Sequence, residues 1–165
     1  MNPLIPDSMV DMKTKTIGLT LAVCFLGGAA CFAADPQMGS WKLNEAKSKF
    51  TPGSQKVTMV VYEAVGDQVK VTVDGIAPDG KATHSEWTGK FDGKDYPVTG
   101  SLDSDTRSYK KIDERTMNFT NKKGGKVTSS GRIVVAADGK SRTVTATGTT
   151  AEGKKFQSTQ VFDKE

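Results

Sequence analysis

Apolar and polar residues alternate with a period of two along most of the chain. In one segment Val69, Val71 and Val73 share one side, whereas Lys70 and Thr72 share the other. This period predicts β-strands with one buried and one solvent-facing side. The other residues that alternate in this way, and are predicted to share an inward side, are Trp87 and Phe91; Met117 and Phe119; Val127, Ser129, Gly131, Ile133 and Val135; Val144, Ala146 and Gly148; and Phe156, Ser158, Gln160 and Phe162.

Glycine-containing turns separate these segments at a nearly constant interval of about 14 residues. That interval holds one strand of about ten residues and a tight turn. Asp-Gly and Gly-Gly pairs supply the positive φ that hairpins need. The predicted turns lie at Gly66-Asp67, Asp79-Gly80, Asp92-Gly93, Asp103 to Asp105, Asp113-Glu114, Gly124-Gly125, Asp138-Gly139 and Glu152-Gly153.

The pattern predicts an all-β fold, an antiparallel up-and-down meander of 8–10 strands. No apolar spacing typical of a long helix occurs, although residues 44–50 are compatible with one short helical turn that Pro52-Gly53 would end. Closing the meander into a lipocalin-like barrel removes its two exposed edges, which favours a barrel. A β-sandwich is the alternative.

The N-terminus has the features of a secretory signal peptide. A basic start at Met12 to Lys15 precedes the uncharged residues 16–30, and Cys31-Phe32-Ala33 resembles a cleavage site. The uncharged stretch is shorter than the roughly 20 residues of a membrane-spanning helix. We therefore expect residues 1–33 to be removed, with translation starting at Met9 or Met12, and residues 34–165 to form one exported barrel domain, periplasmic or extracellular.

Both cysteines of the chain, Cys24 and Cys31, lie in this N-terminal segment. Cleavage before Ala34 would leave a mature protein without thiols or disulfides. An alternative is open, because Gly28 to Cys31 loosely resembles a lipobox. In that case Cys31 would be lipidated and would anchor the protein to a membrane.

Composition and charge restrict the classes of molecule that the protein is expected to bind. The net charge of the 165-residue chain is +4, and its lysines are scattered and not interleaved with aromatic residues. This distribution argues against nucleic-acid binding and fits a solvated protein surface.

No catalytic or metal-binding set emerges from the sequence. His84 is the single histidine, and it shares the polar side of its predicted strand with Glu86. A general base would also need a nucleophile or a polarised water, and a metal site would need more ligands. We therefore predict a solvent-facing His84, no catalytic residue, no metal and no cofactor.

Small and polar residues are concentrated on the inward side of the last three predicted strands. A packed core normally contains bulkier residues there. Either Trp and Phe side chains fill this space from across the barrel, or a cavity remains for a small, partly apolar ligand. The residues predicted to line such a cavity are Trp87, Phe91, Met117, Phe119, Ser129, Gly131, Ala146, Gly148, Ser158 and Gln160. In the other case the domain is a structural or protein-interaction module of the cell envelope with a filled barrel.

Two stretches resemble known proteins. G-S-W-K-L at 39–43 and V-F-D-K-E at 161–165 resemble the first and last strands of lipocalins and fatty-acid-binding proteins. The resemblance implies a calycin-type barrel in which Gly39 and Trp41 are structural and Trp41 plugs one end. The helical lid of fatty-acid-binding proteins is not implied, because only about ten residues separate Leu43 from the next predicted strand. The carboxylate-binding arginines of that family are not implied either.

A second resemblance covers most of the mature chain. W-K-L-N-E-A-K-S-K-F at 41–50 and K-F-D-G-K-D-Y-P-V-T-G at 90–100 resemble a group of small exported bacterial proteins with no assigned activity. It implies a bacterial, exported protein and supplies no chemistry.

Overall fold

The computed structural model describes residues 35–150 and 153–165, which form a closed antiparallel β-barrel. These residues contain no helix that could cross a membrane. The predicted up-and-down barrel is confirmed, and the predicted signal peptide with both cysteines lies outside the described residues. The strands are β1 (Gly39–Lys49), β2 (Lys56–Val65), β3 (Gln68–Ile76), β4 (Ala82–Gly89), β5 (Tyr96–Thr99), β6 (Thr106–Lys111), β7 (Thr116–Lys123), β8 (Lys126–Val135), β9 (Ser141–Thr149) and β10 (Lys155–Lys164).

Each strand pairs with the next one along the chain, and the pairing of β1 with β10 closes the barrel. In the closing pair, Trp41 lies opposite Lys164 and Leu43 lies opposite Phe162. The predicted turns that lie within the described residues connect consecutive strands, and Gly66, for example, adopts φ 62° in the β2–β3 hairpin. The meander follows from these turns, because each one returns the chain beside the strand it has just left.

The structure corrects the short helical turn predicted for residues 44–50. Strand β1 continues to Lys49 but bulges against β10, since Asn44 lies opposite Val161 and Lys49 lies opposite Thr159. Within the bulge the Ser48 hydroxyl donates to the Asn44 carbonyl at 2.7 Å. Pairing with β10 supplies hydrogen-bond partners that an isolated helical turn would lack.

A second bulge corrects the inward position predicted for Val127. The pairing of β7 with β8 shifts register between Asn121 and Lys122. Val127 therefore lies outside the regular alternation and is 59% exposed, whereas Ser129 is buried.

The two ends of the barrel differ. At the closed end, formed by the turns at 66–67, 90–95, 112–115 and 136–140, the segment 35–38 packs across the strands. Gln37 in this segment is 2% exposed, and its Nε2 donates to the carbonyl of Arg115 at 3.1 Å. The opposite end, called the mouth below, is formed by residues 50–55, 77–81, 100–105 and 124–125 and the turn at Gly153. The most deeply buried apolar side chains include Trp41, Trp87, Met117 and Phe162.

Candidate functional site

An aromatic cluster fills the closed half of the barrel. The rings of Trp87 and Tyr109 meet edge to face with centroids 4.8 Å apart, and Tyr62 and Phe91 each lie about 6 Å from Tyr109. The indole N–H of Trp87 donates to the carbonyl of Arg107 at 2.8 Å. The indole N–H of Trp41 donates to the carbonyl of Gln37 at 2.9 Å. Both buried indoles thus keep a hydrogen-bond partner, and this half of the barrel is a packed core.

Between this core and the mouth lies a cavity of about 420 Å³. It extends from the Tyr62 and Phe162 side chains up to the loops at 53–55, 77–79 and 100–103. Its wall combines apolar side chains with inward-facing polar ones from β6 to β10. The interior is therefore neither completely filled nor uniformly apolar, and its volume falls within the usual range of small-molecule sites.

Arg107 begins a buried polar chain on the cavity wall. Its Nε donates to Oδ1 of Asn121 at 2.6 Å, and its Nη1 donates to the hydroxyl of Tyr109 at 3.3 Å. The Asn121 amide in turn donates to Oγ of Ser129 at 2.9 Å. Strands β6, β7 and β8 are neighbours in the sheet, so their inward positions bring these side chains together. The chain fixes the Arg107 guanidinium in place beside the cavity.

Arg142, at the start of β9, is a second cation on the same wall. It is 2% exposed, and its guanidinium carbon lies 4.7 Å from the ring centre of Trp41, 5.0 Å from that of Tyr62 and 5.1 Å from that of Phe162. Its Nε and Nη1 have no hydrogen-bond partner among the described residues. Aromatic faces attract the cation but accept few hydrogen bonds, so these two donor nitrogens are left without acceptors.

The surroundings of the Tyr62 phenol favour its neutral form. Burial raises the pKa of Tyr62 above its ordinary value, and the neighbouring Tyr109 raises it further, whereas Arg142 opposes the shift. The phenol therefore does not serve as a counter-charge for the guanidinium. Within residues 35–150 and 153–165, the ion pairs closer than 4.0 Å involve lysines and His84 with carboxylates, and none involves Arg107 or Arg142.

Two inward glycines accommodate neighbouring rings. A Cβ atom on Gly131 would lie 2.2 Å from the carbonyl oxygen of Thr145 and 2.6 Å from the ring of Phe119. A Cβ atom on Gly148 would lie 2.5 Å from the carbonyl oxygen of Thr128 and 2.8 Å from the ring of Phe156. Both glycines allow close packing within the wall, so their small size does not by itself create the cavity.

The structure brings half of the predicted ligand-binding residues to the cavity. Those that line it are Phe119, Ser129, Ala146, Ser158 and Gln160. The others lie elsewhere in the interior wall or core: Trp87, Phe91, Met117, Gly131 and Gly148. Gln160 also has a structural contact, since its Oε1 accepts the backbone N–H of Val57 at 3.1 Å.

Neither interior arginine is among the residues predicted from the sequence, although a signal was present. Arg107 precedes Tyr109 by two positions, and Arg142 precedes Val144 by two, so period-two alternation places each arginine on the inward side of its strand. A long cationic residue at an inward position is unusual and was the available clue.

His84 lies on the outer surface, as predicted. Its side chain is 60% exposed, and its Nδ1 lies 2.6 Å from Oδ1 of Asp74 on the neighbouring strand. Glu86 pairs with Lys70 at 2.6 Å. Among the described residues, no group of three or more His, Cys, Asp or Glu side chains is placed to hold a metal ion.

No protein-family model and no curated protein matches the chain. Among solved structures, a redesigned beta barrel, mFAP1, bound to DFHBI is similar over 80% of this chain and 98% of that chain, with 15% identity and a TM-score of 0.45. A second structure, EF1p2_mFAP2b bound to DFHBI, is similar over 81% of this chain and 97% of that chain, with 11% identity and a TM-score of 0.47. The likeness concerns barrel architecture alone.

Proposed function

We propose that this chain is an exported, non-catalytic protein that binds a small, partly apolar molecule inside its barrel. The observation that carries the proposal is the cavity of about 420 Å³ between the aromatic core and the mouth. A cavity of this volume lies within the range of sites that hold small organic molecules.

The wall suits a ligand with both apolar and polar parts. Val60, Phe119 and Ile133 offer apolar surface, whereas Ser129 and Ser158 offer hydroxyl groups. A few fixed polar groups in a mainly apolar pocket orient a ligand, while apolar contact supplies most of the affinity. The placement of His84 outside the barrel supports a binding role over a catalytic one. The other function predicted from the sequence, a structural or protein-interaction module with a filled barrel, is less compatible with a cavity of this size.

Filling the cavity tests the proposal. Ala146 is buried and lines the space, so Ala146→Leu would project a larger side chain into it. We expect the neutral dye N-phenyl-1-naphthylamine to bind the natural protein with increased fluorescence and to bind Ala146→Leu at least tenfold more weakly. The matched control is Thr147→Leu, because Thr147 is exposed on the next position of the same strand. Gly148 is unsuitable for this purpose, since even a Cβ atom there would contact backbone.

Two results would contradict ligand binding. One is the absence of dye binding, together with no small molecule retained in native mass spectra of protein purified from its own host. The other is dye binding that Ala146→Leu and Thr147→Leu weaken equally, which would place the dye on the outer surface. A clear loss of stability in Ala146→Leu, about 1–3 kcal/mol, would indicate that the space is already packed.

Export is a separate part of the proposal. It is supported by the basic start, the uncharged residues 16–30 and the Cys31-Phe32-Ala33 site. The intact mass of protein isolated from its host should correspond to a chain that begins at Ala34. A mass showing a diacylglyceryl group on Cys31 would instead assign a membrane-anchored lipoprotein.

A further inference from the structure

The buried guanidinium of Arg142 is the least satisfied polar group on the cavity wall. Three aromatic rings surround it at 4.7–5.1 Å, and its Nε and Nη1 have no hydrogen-bond acceptor among the described residues. Native proteins rarely bury a cation without a partner, because the desolvation cost is large. An arginine that is buried, charged and unpaired therefore needs a counter-charge from outside the described chain.

The cavity is where such a counter-charge can reach. Arg142 lines it, and so does Arg107, whose guanidinium is already held by Asn121 and Tyr109. The carboxylates that line the same cavity, Asp79 and Asp103, lie in the loops of the mouth and are exposed. The inner part of the cavity thus holds two fixed cations and no fixed anion among the described residues, which favours a negatively charged occupant.

We propose that Arg142 binds the carboxylate of a small apolar organic acid, whose apolar part extends from Arg142 toward the mouth. This inference rests on the proposed binding function and specifies the chemical class of the ligand. A guanidinium suits a carboxylate because its planar donors can bond both oxygens. The surrounding rings exclude water and so strengthen the charge-assisted bonds.

The test compares a carboxylate with a neutral molecule of the same shape. Calorimetric titration of the purified protein with 2-naphthoate and 2-naphthamide should show binding of the acid at least tenfold tighter than binding of the amide. Acetate, which has the charge without the apolar part, should bind far more weakly than 2-naphthoate. In Arg142→Met the acid should lose its advantage, while 2-naphthamide should bind about as well as in the natural protein.

A matched variant controls for the loss of one positive charge. Arg132 lies on the outer face of β8 and is exposed, so Arg132→Met changes the net charge equally without touching the cavity. This variant should retain the preference for 2-naphthoate. If the role of Arg142 were purely structural, Arg142→Met would lower the unfolding temperature of the ligand-free protein. A binding role predicts an unchanged or higher unfolding temperature, since a buried unpaired cation has been replaced by an apolar side chain.

The possible failures are distinguishable. If N-phenyl-1-naphthylamine binds in the cavity but 2-naphthoate and 2-naphthamide bind equally, the acid preference is wrong and the binding function stands. If the preference persists in Arg142→Met and disappears in Arg107→Met, the carboxylate contacts the other arginine and the assignment to Arg142 is wrong. If neither the dye nor either naphthalene compound binds, the proposed function fails together with this inference.

Discussion

Arg107 donates to Asn121 across two neighbouring strands, at 2.6 Å, inside the barrel. A similar pair lies on the outer face, where Nε of Arg132 donates to Oδ1 of Asn118 at 3.3 Å in an exposed position. The two pairs allow one interaction to be compared in buried and exposed surroundings.

We expect Asn121→Leu to destabilise the protein by about 1.5–3 kcal/mol, because it removes an acceptor from a buried charged donor. Asn118→Leu should cost less than about 1 kcal/mol, because Asn118 is only partly buried and water can replace its contact with the exposed Arg132. Urea unfolding of both variants measures the difference. In a double-mutant cycle, Arg107→Met combined with Asn121→Leu should cost less than the sum of the single changes. Equal costs at positions 121 and 118 would mean that burial adds nothing to the inner pair.

Trp41 should be essential for stability. It is 0% exposed, and its indole N–H is bonded to the carbonyl of Gln37. Trp41→Ala should therefore cost about 3–5 kcal/mol, and Trp41→Phe should cost less because the ring volume is partly kept. Denaturant titration monitored by circular dichroism tests this. A loss below about 1 kcal/mol for Trp41→Ala would refute the idea that this residue closes the barrel.

Gly131→Ala should destabilise the barrel even though the added group is one methyl. Its Cβ atom would lie 2.2 Å from the carbonyl oxygen of Thr145 on the paired strand, and backbone cannot move aside as a flexible side chain can. We expect a cost of about 1–3 kcal/mol in urea unfolding. Ser130→Ala, at the preceding position and on the opposite side of the strand, is the control. Equal stability of the two variants would show that the wall relaxes freely at this point.

Alkaline pH should weaken the fold through Tyr62. Burial raises the pKa of this phenol above its ordinary value of 10.0, so the folded protein keeps a proton that the unfolded chain loses. The resulting stability is complete below about pH 10 and falls above it, by at most about 1.4 kcal/mol per pH unit for one proton. Between pH 9 and pH 11, the urea concentration at the midpoint of unfolding should therefore fall less in Tyr62→Phe than in the natural protein. An equal fall of the midpoint in the two proteins would contradict the raised pKa of the Tyr62 phenol.

The fold could be predicted because its determinants are local. Alternation with a period of two identifies the strands, and turn glycines such as Gly66 and Gly139 separate them, so neither signal requires knowledge of distant contacts. The bulge between Asn44 and Lys49 was missed because it depends on pairing with β10, whose residues lie more than a hundred positions away.

The candidate site was predictable only in part, because cavities depend on how side chains from opposite walls share space. Ser129 and Ala146 were predicted as lining residues and do line the cavity. Gly131 and Gly148 were predicted for the same reason, yet neighbouring rings occupy the space beside them. The sequence records a missing side chain at such positions, but it does not record which neighbour fills the gap.

The pairing of Trp41 with Lys164 has a consequence for the order of events during synthesis and folding. Every other strand pair joins segments that follow each other along the chain, whereas this pair joins the first strand to the last. The ring of strands cannot be completed until β10 has been synthesised, and closure of so long a loop is expected to be the slow step of folding. Until then β1 and β9 are free edges that can pair with another molecule. Chains that end before residue 155 should therefore form aggregates held together by intermolecular strands.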